Sequence, residues 1–469
     1  MIVPRTRLLV WVALLGLPLS ALAPFSPVLG LLALLLAVLC VTAAVIDALF
    51  ARRALEGLTV SAPEIARLFK DRPANLELQI RNDPAQARRL RLGLLWPAEF
   101  QCAQEDLLVS LPAGQACSTV SWPCVPRLRG RFSLEKCFIG ARSELGLWDV
   151  RVQAPLHCEL RVYPNLLKER KHVAALFLRR SGWGVRPQRQ VGQGREFEKL
   201  REYVPGDSLN EIHWKATARR HRPITKTFQI ERTQEVYVLL DASRLSARLC
   251  GAGDREAISG RGLPRPHAPE DGGATADSPV NTVTFLERYI TAALLLGLAA
   301  ERQGDRFGLL AFTDGVETFL RASQGKQHFT ACREALYALQ PRTVTPDFNA
   351  LTAFLRTHLR RRALLVLLTT LDDPVLAESV VRNARLLSRQ HVVLVNMPRP
   401  RGIGPLFSAP ATGVEQIYED LSGHLLWNQL RQLQQALHHA GVQFSLVDSE
   451  ALIPSLISQY CSIKERQLV

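Results

Sequence analysis

The chain has 469 residues, 47% of them apolar, and a formal net charge of +15. That apolar content excludes a disordered protein, and the length allows two or three domains, each with its own core. The positive balance favours anionic membranes, nucleic acid or acidic protein partners without choosing among them.

From Leu8 to Ile46 there is no charged residue, a run of 39 positions. At 1.5 Å per helical residue this is about 58 Å, roughly two crossings of a 30 Å hydrocarbon core. Pro24 and Pro27 mark a break, which predicts helices over Leu8–Ala23 and Val28–Phe50 and a transmembrane hairpin over residues 1–53. Arg5 and Arg7 precede the first helix and Arg52 and Arg53 follow the second, so both ends are expected in the cytoplasm of a multi-pass inner-membrane protein. A second reading is a cleaved signal peptide ending near Ala21-Leu22-Ala23, which leaves the body on the same side. Asp47 is expected near the inner interface, within reach of water.

Beyond Arg53 the texture changes to short runs of period two. Leu76–Ile80, Leu90–Trp96, Leu107–Leu111, Ser118–Trp122, Arg131–Ile139 and Cys158–Tyr163 are separated by Pro, Gly and Asn, which predicts a β-sandwich-like domain over 54–164. Gly146, Leu147 and Trp148 are expected to form a turn and a core anchor. Residues 165–232 form a connecting region. From residue 233 to 469 apolar strands alternate with helices: strands at Val236–Asp241, Phe307–Phe312, Ala363–Thr370, His391–Met397 and Phe444–Asp448, and helices near Val283–Gln303, His328–Leu339, Asn349–Arg360, Val375–Ser388 and Leu421–Ala440. This predicts a doubly wound α/β domain with a parallel sheet, whose ligands sit at the carboxyl ends of the strands. Residues 251–279, rich in Gly, Pro, Ala and Asp, read as a flexible insertion after the first strand.

The connecting region carries the densest segment, GREFEKLREYVPGDSLNEIHWKATARR, with Gly194, Arg195, Glu196, Phe197, Leu200, Arg201, Tyr203, Pro205, Gly206, Asp207, Ile212, Trp214, Ala218 and Arg219. Pro205-Gly206-Asp207 is a turn. Glu196, Leu200 and Tyr203 have the spacing of a short helical face, whereas Ile212, Trp214 and Ala216 alternate as in an extended stretch. Tyr203 and Trp214 are expected to be core anchors, with Arg195, Arg201 and Asp207 left for ion pairs or a partner surface. Asp207 and His213 are an acid/base pair in principle, but no nucleophile elbow, phosphate-binding loop or HExxH motif accompanies them, so no enzyme activity is expected. Nine cysteines are scattered without a CxxC pair, which predicts reduced thiols.

This segment, together with RGRF at Arg129–Phe132, ELGLWD at Glu144–Asp149 and TKTFQIERTQEVYVLLDAS after it, resembles the signature of the bacterial domain-of-unknown-function family number fifty-eight. The resemblance implies two membrane helices, a β-rich domain, and a von Willebrand factor A-like domain. It also implies a membrane-anchored adaptor working with a MoxR-type AAA+ ATPase on an unidentified protein client. A von Willebrand factor A domain often holds Mg²⁺ through an Asp-x-Ser-x-Ser loop, a Thr and a further Asp. Here Asp241 and Ser243 match, but Leu245 takes the third position, Thr345 or Asp347 falls at the second loop, and Thr370 stands where the last Asp aligns, with Asp372 and Asp373 beyond it. A remnant metal site at Asp241 and Ser243, and a metal-free partner surface in which both residues bond loop backbone, therefore both stand. Arg219, Arg220, Arg222 and Lys226 keep a nucleic-acid reading as a further alternative, although no nucleic acid is expected.

Overall fold

The computed structural model describes residues 2–16, 27–53, 55–83, 87–143, 145–167, 169, 191–204, 212–229, 234–250, 283–400, 402–405 and 414–466. Two compact units divide the chain, Met1–Asn165 and Leu166–Val469.

The first unit begins with β1 (Ile2–Pro4), α1 (Thr6–Trp11) with a π-helical turn at Val12–Gly16, and α2 (Pro27–Arg53). There follow β2 (Leu58–Ser61), β3 (Ile65–Phe69), β4 (Ala74–Asn82), β5 (Arg88–Leu94), β6 (Phe100–Cys102), β7 (Asp106–Leu111), β8 (Cys117–Pro126), β9 (Gly130–Arg142) and β10 (Trp148–Tyr163). One sheet runs β1-β10-β9-β5-β7 with β3 also on β10, and the other runs β2-β4-β8-β6. Alternation explains the pairing of faces: Leu76, Leu78 and Ile80 of β4 point inward while Glu77, Gln79 and Arg81 face water. They meet Leu90, Leu92, Trp122, Leu134 and Leu160 in one core.

The N-terminus departs from the expected helix. Residues 2–4 add an edge strand to the first half of β10, while β3 takes its second half. The Arg5 amide donates to the Leu147 carbonyl at 3.0 Å, and its guanidinium pairs with Asp149 at 3.4 Å. The predicted helix Leu8–Ala23 starts instead at Thr6, and its described part, six helical residues and a five-residue π turn, is too short to cross a bilayer. Residues 17–26, including Pro24, lie outside the described ones. Among the described residues one helix, α2, is long and apolar enough to span a membrane. Its Leu31, Leu34, Leu35, Val38, Leu39, Val41, Val45 and Phe50 are all exposed, so it does not serve as a core helix of this unit.

The C-terminal half of α2 is rooted in the loop around Leu145–Trp148. Trp148 Nε1 donates to the Ala44 carbonyl at 2.9 Å, and the Leu145 amide donates to Asp47 Oδ1 at 3.2 Å. Asp47 is only 3% exposed, which corrects the expectation that it reaches water: the loop covers it. Gly146 adopts φ 71°, the left-handed conformation that lets the loop turn back, so Trp148 anchors a helix as well as closing a turn.

The second unit contains a hairpin of β11 (Val191–Glu202) and β12 (Ile224–Gln229) joined through α3 (Trp214–Arg220), then β13 (Glu235–Asp241) and a short pair, β14 (Leu249–Cys250) with β15 (Val283–Thr284). After these come α4 (Phe285–Arg302), β16 (Arg306–Phe312), β17 (Val316–Ser323), α5 (Lys326–Tyr337), α6 (Phe348–His358), β18 (Leu364–Leu368), α7 (Pro374–Leu387), β19 (Val392–Pro398), α8 (Val414–His439), β20 (Gln443–Val447) and α9 (Leu452–Glu465). The sheet order is β17-β16-β13-β18-β19-β20. It is parallel except for β17, which returns antiparallel from β16 and corrects the all-parallel expectation. Strand β13 shows why helices cover both faces. Val236, Val238 and Leu240 pack with α4, α5 and α9, whereas Tyr237 and Leu239 pack with α6, α7 and α8. The insertion predicted at 251–279 lies outside the described residues.

His391 precedes β19, buried, with neither ring nitrogen hydrogen-bonded. Burial, aided by the Arg362 charge, lowers its pKa from the ordinary 6.5. The folded state therefore resists the proton that the unfolded chain accepts, and stability that is full above pH 6.5 falls as pH drops from there through the folded value. Urea midpoints measured on both sides of that pH should diverge less in a His391→Leu variant than in the native chain. Equal slopes would reject the assignment.

Candidate functional site

The strand order reverses direction about β13, with β16 on one side and β18 on the other, so the crevice at their carboxyl ends is where this topology binds ligands. Leu240 pairs with Leu368, which brings the next residues, Asp241 and Thr369, side by side. Asp241 is fully buried. Its Oδ1 accepts the Ser243 amide at 2.9 Å, and its Oδ2 accepts the Thr369 hydroxyl at 2.5 Å. Burial raises its pKa, and the hydrogen bonds from Ser243 and Thr369 oppose the rise.

The turn after Asp241 is committed to the fold. Ser243 caps the 3₁₀ turn Arg244–Ala247 by accepting the Leu245 amide at 3.4 Å, and the Ser246 hydroxyl donates back to the Ser243 carbonyl at 2.8 Å. Leu245 packs in the core with Tyr237, Leu239 and Phe348. Backbone bonds lace the neighbouring loops together. The Arg342 amide donates to Ala242 O at 2.8 Å, Arg244 to Val344 O at 3.1 Å, and Asp347 to Thr313 O at 3.0 Å.

The remaining candidates divide among structural tasks. Asp347 caps α6 through the amides of Asn349 and Ala350, and Asp373 caps α7 through the Val375 amide. Thr345 is exposed. Thr369 meets Asp241, a pairing that follows from the β13–β18 register. Thr370 is buried with its hydroxyl unpartnered. Asp372 pairs with Arg248, a residue the sequence pattern had not singled out, because no spacing rule links two loops 124 positions apart.

Magnesium requires an octahedral set of oxygen ligands. Here one carboxylate has both oxygens engaged, the first serine is turned to backbone, the third loop position is Leu245, and Thr370 replaces the last carboxylate. Among the described residues no three His, Cys, Asp or Glu side chains gather to share a metal. The donor set does not fit the ion, and the hydrogen bonds of Asp241 and Ser243 are those of a closed loop.

The signature segment differs from its expected local structure. Residues 191–202 form β11, so Glu196, Leu200 and Tyr203 share no helical face. The stretch from Trp214 is helical because His213 caps it, its Nδ1 accepting the Ala216 amide at 3.0 Å. That bond also occupies one nitrogen of the proposed acid/base pair, whose other member, Asp207, lies outside the described residues with Pro205 and Gly206. Trp214 is 70% exposed and Tyr203 half-buried. Trp214 is thus no core anchor: the helix that carries it buries none of its residues, and Ala218 and Arg219 also face outward. Ile212, bridged to Thr225, and Ile224 are the buried members. Gly194, Arg195, Glu196, Phe197 and Arg201 are placed on β11 by their backbone. Thiol chemistry finds no support in the buried cysteines, since burial pushes Cys124 up to about 12 and Cys137, Cys158 and Cys332 up to about 11.

No curated protein matches the chain. Among solved structures, an aerotolerance-related membrane protein from Bacteroides fragilis is 16% identical over 48% of this chain and 99% of its own, with a TM-score of 0.27. The SpRpn10 VWA domain is 13% identical over 48% of this chain and 95% of its own, also at 0.27. A PapD-like domain of human CEP192 is 14% identical over 23% of this chain and 87% of its own, at 0.17. The model of the family described as "Protein of unknown function DUF58" matches residues 199–253 and 280–415, which take in the end of β11, β12, Asp241 and the loops around it, and in these segments the chain is similar to that family.

Proposed function

We propose that the chain is a membrane-anchored adaptor, multi-pass in the inner membrane with its body in the cytoplasm, that binds proteins and performs no reaction of its own. The observation that carries this reading is the rooting of α2. An exposed apolar helix is tied through Ala44 and Asp47 to the ELGLWD loop, so the anchor and the β-unit are continuous. The loop cluster at Asp241 supports binding over catalysis, because both oxygens of its buried carboxylate are engaged, by the Ser243 amide and the Thr369 hydroxyl. The family resemblance directs the search for a partner to a MoxR-type AAA+ ATPase and its client. Affinity purification of the detergent-solubilised full chain, with and without nucleotide, followed by mass spectrometry, is expected to recover such an ATPase. Repeated recovery of none in either state would sink the adaptor reading.

A further inference from the structure

Helix α3 has a side that its own unit leaves uncovered. At about 100° per residue, Trp214 and Ala218 form one column and Lys215 and Arg219 the next, while Ala216 and Thr217 lie on the opposite side. Exposure follows that division. Trp214, at 70%, stands out with Lys215, Ala218 and Arg219, whereas Ala216 and Thr217 are half-buried. The Thr217 hydroxyl accepts the Ile224 amide at 3.0 Å, which fixes the half-buried side to β12. Arg222, just beyond the helix, is answered by Glu202 at 3.3 Å. Among the described residues Lys215 and Arg219 pair with no carboxylate, so an indole and two cations share one open face.

We propose that this face docks the α/β unit on the headgroup layer of an anionic bilayer, with the Trp214 indole at the polar–apolar boundary and Lys215 and Arg219 on lipid phosphates. A headgroup layer sets negative charge over an apolar interior, and Trp is a side chain that settles where the two meet. Lys and Arg beside it add an attraction to anionic lipid that fades within a Debye length. Nucleic acid also offers phosphates, but single strands are gripped by stacking on successive aromatic rings, and α3 carries one ring. The bilayer is at hand as well, since α2 is long and apolar enough to span it, and the net charge of +15 favours an anionic surface. This inference goes beyond the adaptor reading and fails separately from it, because neither an ATPase nor a client enters its test.

The test places the full chain, labelled with fluorotryptophan, in nanodiscs of phosphatidylcholine alone or of an equal mixture of phosphatidylcholine and phosphatidylglycerol, each containing a lipid spin-labelled at its headgroup. The fluorine NMR line of Trp214, assigned by its absence in Trp214→Phe, should broaden in the anionic discs and stay sharp in the neutral ones. Salt at about 1 M, which cuts the Debye length to about 3 Å, should restore the sharp line. Lys215→Glu combined with Arg219→Glu should abolish the broadening, and Lys215→Gln combined with Arg219→Gln should remove part of it, both with native Tm because neither side chain is buried. A line equally sharp in both discs would overturn the proposal, as would broadening indifferent to lipid charge, salt and charge reversal. So would a Trp214 line that ignores lipid and shifts on adding a short single-stranded RNA, which would assign the face to nucleic acid.

Discussion

Replacing Asp305 by alanine is expected to destabilise the α/β unit by about 3 kcal/mol, the lower end of what removing one partner of a buried charged pair costs. Asp305 is 1% exposed just before β16. Its Oδ1 accepts the Gln234 amide at 3.2 Å; its Oδ2 accepts the Tyr460 hydroxyl and the Lys464 ammonium, the latter at 2.8 Å. One carboxylate thus joins the approach to β13, the start of β16 and helix α9. Burial and the adjacent Asp305 charge raise the Tyr460 pKa, keeping the phenol protonated as a donor. Alanine would strand that hydroxyl and a buried amide, each without a substitute partner. Lys464 is 27% exposed and also bonds the Gln303 carbonyl at 2.8 Å, so water rescues it in part, which is why the lower end applies. The Tm of the unit should fall by roughly 6–12 °C at 2–4 °C per kcal/mol. Hydrogen exchange should quicken first in α9, whose Leu452, Leu456 and Ile463 pack on the α4 face. Native exchange rates in α9 would contradict this account.

That network illustrates what the sequence does and does not disclose. The strand Phe307–Phe312 and helix Val283–Gln303 are visible as an apolar run and an amphipathic period, because burial on both faces or on one leaves a local trace. Helix α9 leaves a weaker one: Leu452-Ile453-Pro454 and the serines that follow break the pattern, and what fixes the helix is Asp305, well over a hundred positions away. Short edge strands are hidden for a similar reason. Residues 2–4 are three apolar or proline residues that become a strand only because β10 has a free edge. In the signature the error was one of period. Alternation at Ile212, Trp214 and Ala216 reads as extended, yet a single cap from His213 turns the same residues into a helix. At the candidate site the residue types Asp241 and Ser243 were legible, and so was the misfit of Leu245. The partners Thr369 and Arg248 were not, since register across β13 and β18 decides the first and an ion pair between distant loops the second.

The second large effect is expected at Gly308, in the middle of β16, where alanine should cost about 2–3 kcal/mol through overpacking. Gly308 pairs in register with Tyr237 of β13, whose ring lies across it. A Cβ at this position would stand 2.4 Å from Tyr237 Cε1 and 2.9 Å from the Ala322 amide nitrogen, closer than carbon atoms tolerate. The ring has no room to retreat. Its hydroxyl accepts the Ala322 amide at 3.1 Å, its face stacks on Phe319 with centroids 6.2 Å apart, and it is fully buried. The usual gain from replacing a strand glycine is smaller than this penalty. The clash makes a sharper claim than instability alone, because it names the atom that must move. Tyr237→Leu removes the ring edge and loses the Ala322 bond, so it is destabilising by itself. Combined with Gly308→Ala it should cost less than the two single changes added together, by at least 1 kcal/mol or so in a double-mutant cycle. Unfolding midpoints of the four proteins decide the matter, and strict additivity would show that the ring is not what excludes the methyl group. The consequence reaches the candidate site, since the Phe312 carbonyl at the end of β16 holds the Ala242 amide beside Asp241 at 2.9 Å. A displaced β16 should therefore loosen exchange at Ala242 in the single variant and restore it in the double.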